Sequence, residues 1–454
     1  MELQAHRYNT YLSSQGGSIG TSFSGTLDFV YTSSSTTAIS DLSKSYFALS
    51  ATLDPTNHLD LTNTENDAAH NQGFVQNAEA QLFSMFQFYV NDKLVANIDN
   101  FKTHSTAKKL LNESYEDQKS STSPLYLSED NLTSKITLVP ANFNADPTTV
   151  TINDYFKHMR VAERDYYTRL ANSQIIKNVT GTYPTESPVL PTLTTLNKPY
   201  FVEFIIPFPA FEIIEGSRNI PPNVKLGVQF QVSPTLYQDL FVGINANNNL
   251  TNSQFNVNHF AWVIPEYVAP IPQSLKCRYD YYENKTFRKL HNSNLYQFSV
   301  PSNAERITIY FSNTSKSVDG GIQTCVPVNP TLTSFGINYI GRNFPSSMYR
   351  LTKSEVGNDW SKAYAQYLRF SNTYKTGEIP VIDSLAKFYK HPVFTFYTRG
   401  SENSVNVTPL TINVISDPTI TDTDINVLVE SVNSLHLEYD ENGICRTTEV
   451  GSVG

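Results

Sequence analysis

This chain carries, at residues 85–92, the stretch Met85-Phe86-Gln87-Phe88-Tyr89-Val90-Asn91-Asp92. A second stretch follows the same pattern and reads Phe335-Gly336-Ile337-Asn338-Tyr339-Ile340-Gly341-Arg342-Asn343. Each combines an aromatic-rich run, typical of a β-strand, with a polar turn. Each is followed by a short helix-like segment, at residues 105–115 and 359–370. A β-domain that occurs twice in one chain indicates a building block rather than an enzyme.

The composition predicts an all-β protein. The chain has 454 residues, with 27 Tyr and 27 Phe, and only 17% of its residues are charged. The globular average for charged residues is about 25%, and here Ser, Thr and Asn take their place. Aromatic and β-branched strands joined by Ser/Thr/Asn-rich turns are typical of all-β structure. The length allows two domains or one very large one.

Alternating side chains mark the clearest strand, at residues 224–232. Val224, Leu226, Val228, Phe230 and Val232 fall on one side of an extended chain, as in a sheet with one buried face. Further strands are predicted at residues 46–52, 201–206, 261–265, 296–300, 307–311, 393–398, 410–414 and 435–439.

Helices are predicted to be few, at residues 105–115, 155–171 and 359–370. Ser105 is the predicted N-cap of the first and Asp359 that of the last. Their apolar stripes are predicted to pack on the sheets and comprise Ala107, Leu110 and Leu111 in the first and Trp360, Ala363, Tyr364 and Tyr367 in the last.

A polar, Asn-rich segment at residues 234–258 is predicted to separate two domains. The N-terminal domain is placed at residues 1–240, with long loop insertions, and the C-terminal domain at residues 241–454. Each half then carries one strand–turn–helix stretch. Long polar connections such as residues 54–76 and 180–196 are uncommon in compact domains and are often functional.

Charge and cysteine usage exclude several classes of protein. The net charge of −9 disfavours a protein that holds nucleic acid by its backbone. The first seven residues resemble neither a basic arm nor a signal peptide, and no apolar run approaches the roughly 18 residues of a membrane span. Cys277, Cys325 and Cys445 are far apart, which predicts free thiols in a reducing compartment.

One catalytic pattern occurs, at Gly16-Gly17-Ser18-Ile19-Gly20. It matches the nucleophile elbow, which requires a strand before Ser18 and a helix after it. Neither flank has that pattern, so the match is interpreted as chance in a Ser- and Gly-rich segment. The histidines share no ligand spacing, which predicts no metal site; those considered are His58, His70, His104, His158 and His259.

Paired carboxylates could cleave sugars on a β-sandwich. The candidates Glu203, Glu212, Glu215 and Asp239 are dispersed in the sequence. Glu203 lies in an apolar strand and is predicted to face outward. We therefore predict no catalytic, cofactor-binding or metal-binding residues and no cofactor.

Four regions of the chain, taken in order, resemble the double jelly-roll major capsid proteins (hexon-like) of small double-stranded DNA viruses and of Polinton- or adintovirus-like elements. Residues 85–92 resemble a first-roll strand and turn, with Asp92 in place of a glycine. Residues 201–232 resemble the end of the first roll. Residues 329–345, with the aromatic helix after them, resemble the second-roll strand and turn, where Gly341-Arg342-Asn343 replaces a plain Asn-Gly. Residues 427–443 resemble the terminal strands.

The resemblance implies two consecutive eight-stranded jelly-roll sandwiches, all-β, with long loops and a few short helices. It implies a homotrimer with a pseudo-hexagonal outline, since two rolls in three chains give six. Neighbouring capsomers, penton proteins and minor capsid proteins would be its partners in an icosahedral virion. Assembly would take place in the host cytoplasm or nucleus, without strong nucleic-acid binding and without a membrane-spanning segment.

Three other interpretations stay open at this stage. A penton or minor capsid protein usually carries one roll, which disagrees with two similar halves. A carbohydrate-binding or carbohydrate-active β-sandwich would need an aromatic platform or a close carboxylate pair. A secreted adhesin disagrees with the absence of a signal-like N-terminus and with the free cysteines.

Overall fold

The computed structural model describes residues 7–12, 23–32, 38–53, 73–114, 117, 121, 125, 127, 200–209, 212–213, 219–242, 255–268, 276–290, 295–315, 324–352, 359–371, 377–398, 407–416, 422–439 and 445–452. The strands are β1 (Arg7–Leu12), β2 (Thr26–Thr32), β3 (Ala38–Asp41), β4 (Tyr46–Leu53), β5 (Gly73–Phe74), β6 (Phe83–Val90), β7 (Lys93–Ile98), β8 (Tyr200–Pro207), β9 (Glu212–Ile213), β10 (Asn219–Ile220), β11 (Lys225–Val232), β12 (Phe241–Val242), β13 (Phe255–Val268), β14 (Lys276–Leu290), β15 (Leu295–Pro301), β16 (Ala304–Asn313), β17 (Leu332–Tyr339), β18 (Arg342–Arg350), β19 (Val393–Tyr397), β20 (Val407–Ser416), β21 (Thr423–Tyr439) and β22 (Cys445–Ser452). The helices are α1 (Glu79–Leu82), α2 (Phe101–Asn112), α3 (Leu236–Asp239), α4 (Trp360–Phe370) and α5 (Leu385–Lys390), with a 3-10 turn at Leu42–Lys44.

The first sandwich is made of two antiparallel sheets. One has the order β10-β3-β13-β4-β8, with β1 also paired to β13, and the other has the order β2-β11-β6-β7. Their inner faces share one apolar core. Near its centre the ring of Phe47 lies 4.8 Å from that of Phe230 and 5.5 Å from that of Trp262, measured between centroids. Such aromatic contacts add about 0.5–1.5 kcal/mol each beyond the area they bury.

The second sandwich repeats this plan. One sheet has the order β19-β16-β21-β14-β9, with β22 also paired to β21, and the other has the order β15-β20-β17-β18. Phe335 of β17 stacks on Phe394 of β19 across its core, with 4.0 Å between ring centroids. The sheets of the two sandwiches correspond strand by strand: β8-β4-β13-β1 matches β19-β16-β21-β14, and β2-β11-β6-β7 matches β15-β20-β17-β18.

The predicted all-β fold with two sandwiches and few short helices is confirmed. In the described part of the chain, each sandwich contains a six-stranded and a four-stranded sheet, which is two strands more than the eight expected. Alternation of buried and partly buried side chains along β11 agrees with the period of two in its sequence. The predicted helix at residues 155–171 lies outside the described residues.

Apart from β9, the described strands up to Val268 pair with one another, and those from Lys276 onward pair with one another. β13, which begins near the end of the polar segment, pairs with β1, β3 and β4 of the first sandwich. The polar composition of a segment does not show which sheet the strand after that segment joins. The division between residues 240 and 241 stays a prediction about autonomous domains.

The two similar stretches form equivalent β-hairpins, β6–β7 and β17–β18. Both turns are two residues long with positive φ at both positions: 48° and 62° at Asn91 and Asp92, and 49° and 71° at Ile340 and Gly341. These are the left-handed values that a type I′ hairpin turn requires. The second turn therefore comes one residue earlier than the predicted Gly341-Arg342-Asn343.

Both predicted helices adjoin these hairpins, with corrections at their N-termini. α2 begins at Phe101 rather than Ser105, because the side chain of Asn100 caps it by accepting the Thr103 N–H at 3.2 Å. Asp359 is the N-cap residue of α4, but its carboxylate accepts the Arg350 N–H at 3.0 Å instead of capping the helix.

Candidate assembly interface

Helix α2 lies between the two sandwiches. Nine of its 12 residues are buried, and Thr103, His104, Ser105, Thr106 and Lys109 are polar residues among them. A helix with polar side chains buried on several faces needs hydrogen-bond partners on all of them. Both sandwiches supply such partners, although His104 Nδ1 has none among the described residues.

One face of α2 packs on the first sandwich. Phe101 belongs to the apolar core of that sandwich. Asn77 Nδ2 donates a hydrogen bond to Thr106 Oγ1 at 3.0 Å. Lys109 Nζ lies 3.0 Å from Glu79 Oε1, and both side chains are only 4% exposed. Each polar group on this face is therefore matched by a partner on α1 or just before it.

The opposite face of α2 completes the second sandwich. Ala107, Leu110 and Leu111 belong to the core of the second sandwich. The prediction that this stripe faces inward is confirmed, but the sheet that it covers belongs to the other half of the chain. The Tyr367 hydroxyl of α4 donates to the Leu110 carbonyl at 2.7 Å, so the two equivalent helices also meet.

A buried charge cluster lies where α2 crosses β21. Glu430 is fully buried, and its Oε1 lies 2.9 Å from Lys108 Nζ and 2.7 Å from Arg306 Nη2. Arg306 Nε also donates to Glu430 Oε2. Burial alone would raise the pKa of Glu430, but the charges and hydrogen bonds of Arg306 and Lys108 outweigh it and lower the pKa. Glu430 is therefore held as a carboxylate in the folded protein. Removing Arg306 or Lys108 would leave an uncompensated charge buried between the sandwiches.

His104 is the other titratable group in this interface. Its Nε2–H donates to the Pro209 carbonyl at 2.6 Å, and the ring is 1% exposed. Burial and the nearby charge of Lys108 lower the pKa of His104 to about 3. The imidazole is therefore neutral in the folded protein at neutral pH.

Contacts beyond α2 extend the interface. β9, from the first half of the chain, pairs with β14 of the second sandwich. Asn91 Nδ2, in the first hairpin turn, donates to Thr447 Oγ1 of β22 at 3.2 Å. The Tyr439 hydroxyl donates to the Pro222 carbonyl at 2.7 Å. Strands, turns and a helix thus join the two sandwiches.

The sequence-based catalytic candidates do not converge in the part of the chain that the structure describes. Five of the candidates lie outside the described residues: Ser18, His58, His70, His158 and Glu215. Glu203 is exposed on β8, as predicted for an outward-facing strand residue. His259 is on β13 and Asp239 accepts a hydrogen bond from the Thr235 hydroxyl at 2.7 Å. Glu212 lies in β9.

Cysteine and metal chemistry give no alternative site within the described ranges. No three His, Cys, Asp or Glu side chains there come together as a metal site. Cys277, Cys325 and Cys445 are free thiols. Burial raises the pKa of Cys325, which keeps it as an unreactive thiol. Of the described helices, none has the length and apolar character to cross a bilayer.

Comparison with solved structures identifies the fold of the chain. The chain has the double jelly-roll fold, and the likeness extends over nearly its whole length. A chain of the quasi-atomic model of the PBCV-1 virus capsid is similar at 10% identity with a TM-score of 0.51, covering 99% of this chain and 98% of that one. A chain of the 3.5 Å cryo-EM structure of the Sputnik virophage is similar at 10% identity with a TM-score of 0.53, covering 100% of this chain and 90% of that one. No protein-family model and no curated protein sequence matches the chain.

Proposed function

We propose that this chain is a major capsid protein, a structural subunit without enzymatic activity. Three copies would form a trimeric capsomer with a pseudo-hexagonal outline, and many capsomers would form an icosahedral virus shell. The proposal depends on one observation, which is that two equivalent sandwiches are held side by side by a helix buried between them. Two such sandwiches in each of three chains present six similar walls to neighbouring capsomers.

The fold and the charge of the chain support this proposal. The chain of the PBCV-1 virus capsid shares the double jelly-roll fold over nearly its full length. A net charge of −9 is consistent with a capsid subunit that does not bind the genome strongly. Its partners would be its own copies, neighbouring capsomers, and penton and minor capsid proteins. Its place would be the virion, after assembly in the host cytoplasm or nucleus.

The mass of the purified protein tests the proposal. Light scattering is expected to give three chains of 51.0 kDa each, and negative-stain images should show particles with a hexagonal outline. A monomer that persists at high protein concentration would contradict the proposed function.

The alternatives predict different results. A penton or minor capsid protein with one roll is disfavoured by two sandwiches of matching strand order. A carbohydrate-binding or carbohydrate-active protein would bind or cleave sugars in a glycan array without forming a trimer. Binding of sugars without a trimer, or cleavage of sugars without a trimer, would replace the capsid proposal.

A further inference from the structure

The four-stranded sheet of the first sandwich, β2-β11-β6-β7, has an exposed outer face. Alternate side chains of its strands, such as Phe29 and Val228, point into the core, so the residues between them point outward. These outward residues are all partly or fully exposed. We call the surface that they form on β2, β11, β6 and β7 the outer-sheet face.

An apolar row crosses the outer-sheet face from edge to edge. The strand register places Val30 of β2, Gly227 of β11, Tyr89 of β6 and Leu94 of β7 side by side. Val30 and Leu94, at the two ends of the row, are 58% and 45% exposed. Exposed apolar residues that adjoin one another, with polar residues around them, are typical of an interaction surface.

Tyr89 and Gly227 give the centre of this row a raised and a hollow half. The Tyr89 hydroxyl donates to Gln87 Oε1 at 2.7 Å, two residues back on the same strand, so the ring lies along the strand. A Cβ atom at Gly227 would lie 3.4 Å from Tyr89 Cβ. Because Gly227 has no side chain, a shallow depression lies beside the ring.

A polar row lies next to the apolar one and consists of Asp28, Gln229, Gln87 and Asn97. Gln229 Nε2 donates to Asp28 Oδ1 at 2.8 Å, and Gln87 Nε2 donates to Asn97 Oδ1 at 3.0 Å. These bonds orient the side chains, which reduces the entropy that they lose on binding. A carboxylate accepts up to about four hydrogen bonds and an amide nitrogen donates more than one, so Asp28 and Asn97 can bond further.

We propose that the outer-sheet face of one chain packs on the same face of a chain in a neighbouring capsomer, across a two-fold axis. The inference rests on the capsid function proposed above and names a surface that joins its capsomers. The axis runs parallel to the strands, between β11 and β6. It therefore places β2 opposite β7 of the second copy and β11 opposite β6. Such a contact requires a face that is complementary to itself.

The apolar row meets this requirement. Val30 faces Leu94 of the second copy, so each exposed apolar side chain covers another. The Tyr89 ring faces the depression at Gly227 of the second copy, and the reverse contact is identical. The raised half of each row thus fits the hollow half of the other.

The polar row meets it as well. The Asp28 carboxylate faces the Asn97 amide of the second copy, which is an acceptor opposite a donor. The two Asp28 residues lie at opposite edges of the contact, at least about 14 Å apart, which is three strand spacings. That separation exceeds the Debye length of about 8 Å at physiological salt, so their repulsion is largely screened.

The size of the face predicts a weak contact that acts through repetition. Four strands about 4.8 Å apart, with 7 residues of about 3.4 Å each in β2, cover on the order of 450 Å². A stable interface buries about 800 Å² on each partner. Each trimer carries three such faces, and many weak contacts made together strengthen one another.

Mixing two cysteine variants tests the contact directly. Trimers of Val30→Cys and trimers of Leu94→Cys are each expected to give no more linked chains than the wild type, on a non-reducing gel after mild oxidation. The mixture is expected to give linked pairs with one chain of each variant, because only there does a cysteine face a cysteine. The wild type controls for Cys277, Cys325 and Cys445. A concentrated mixture without linked pairs, or linkage in one variant alone, overturns the contact.

Light scattering over a range of concentrations tests the contact without cysteines. The mass of the wild type is expected to rise about twofold, from one trimer to two, as the protein is concentrated. Leu94→Asp is expected to stay at one trimer, with an unchanged thermal unfolding midpoint. The matched control is Leu290→Asp at the end of β14, where the leucine is 46% exposed, and it is expected to behave as the wild type.

The outcomes separate the two proposals. Wild-type trimers that keep one mass at every concentration and give no mixed cross-link overturn the contact and leave the capsid function standing. A wild-type monomer overturns the proposed function and this contact with it. Association that persists in Leu94→Asp, or is lost equally in Leu290→Asp, assigns it to another surface and overturns the contact. Association lost in Leu94→Asp alone, together with the mixed cross-link, supports both proposals.

Discussion

Ile340 has a backbone conformation that suits its side chain poorly. It has a φ of 49° at the first position of a type I′ turn, where β-branched side chains are strained. Its side chain is 40% exposed, so little packing depends on it. Ile340→Asn is therefore expected to raise the free energy of unfolding by about 1 kcal/mol in a denaturant titration. Ile340→Val keeps the branched carbon and is expected to give no gain, and an equal gain in both variants would contradict the strain argument.

Glu430 is predicted to be the most sensitive charge in the interface. Glu430→Gln leaves Arg306 and Lys108 close together without the carboxylate that they share. We expect the free energy of unfolding to fall by about 3–5 kcal/mol, as for other buried pairs that lose one partner. The control is Asp92→Asn, which breaks an exposed pair with Lys225 and is expected to cost no more than about 1 kcal/mol. Similar losses of unfolding free energy in the two variants would show that burial of the ion pair does not determine the size of the loss.

His104 is expected to make stability depend on pH. The unfolded chain protonates this residue near its ordinary pKa of about 6.5, whereas in the folded protein the pKa is about 3. The unfolded state therefore binds the additional proton first, and stability falls as the pH decreases from about 6.5 toward 3. His104→Gln is expected to reduce the slope of stability against pH in this window by up to about 1.4 kcal/mol per pH unit. Parallel curves for the two proteins would argue against a buried neutral imidazole.

At the scale of elements, the sequence predicts structure where a local signal exists. Alternating side chains located β11, and an aromatic run with a polar turn located both hairpins. The start of α2 was placed too late, because Ser105 was preferred as the cap and Asn100 caps the helix instead. Periodicity showed which face of α2 is apolar but could not show that the other sandwich covers it, since that contact joins residues far apart in the chain.

Leu110 tests the role of α2 as the connection between the sandwiches. Leu110→Ala removes a fully buried side chain from the core of the second sandwich, although the residue belongs to the first half of the chain. We expect a loss of about 2–5 kcal/mol in the free energy of unfolding, measured by denaturant titration. Leu94→Ala, on β7, removes a side chain that is 45% exposed and is expected to cost less than about 1 kcal/mol. Equal losses would mean that α2 does not hold the second core.

At the scale of the whole molecule, the sequence predicts two similar halves, and the matching strand order of the two sandwiches agrees with this. The polar composition of residues 234–258 would suit a linker between two domains or a connection between two strands of one sheet. The pairing of β13 with β1, β3 and β4 joins residues far apart in the chain, which composition does not reveal. The interface around Glu430 was also missed, because a lone glutamate and two distant cations give no pattern in a sequence.

Net charge leads to a prediction for the intact molecule. With a charge of −9, the assembled protein is expected not to bind double-stranded DNA at physiological salt. An electrophoretic mobility shift with the trimer measures this directly. Tight binding that weakens steeply with added salt would indicate a basic surface that the overall charge conceals, and would assign genome contact to this protein.

The position of α2 also bears on the order in which the molecule is made. The ribosome releases Ala107, Leu110 and Leu111 long before any strand of the second sandwich. Domains generally fold as they are synthesised, from the N-terminal side. The nascent first half therefore presents a prepared apolar surface on which the later strands can condense. A gene cut between the two halves would deprive the second product of this surface, so we expect translation as one polypeptide to be a requirement of the architecture.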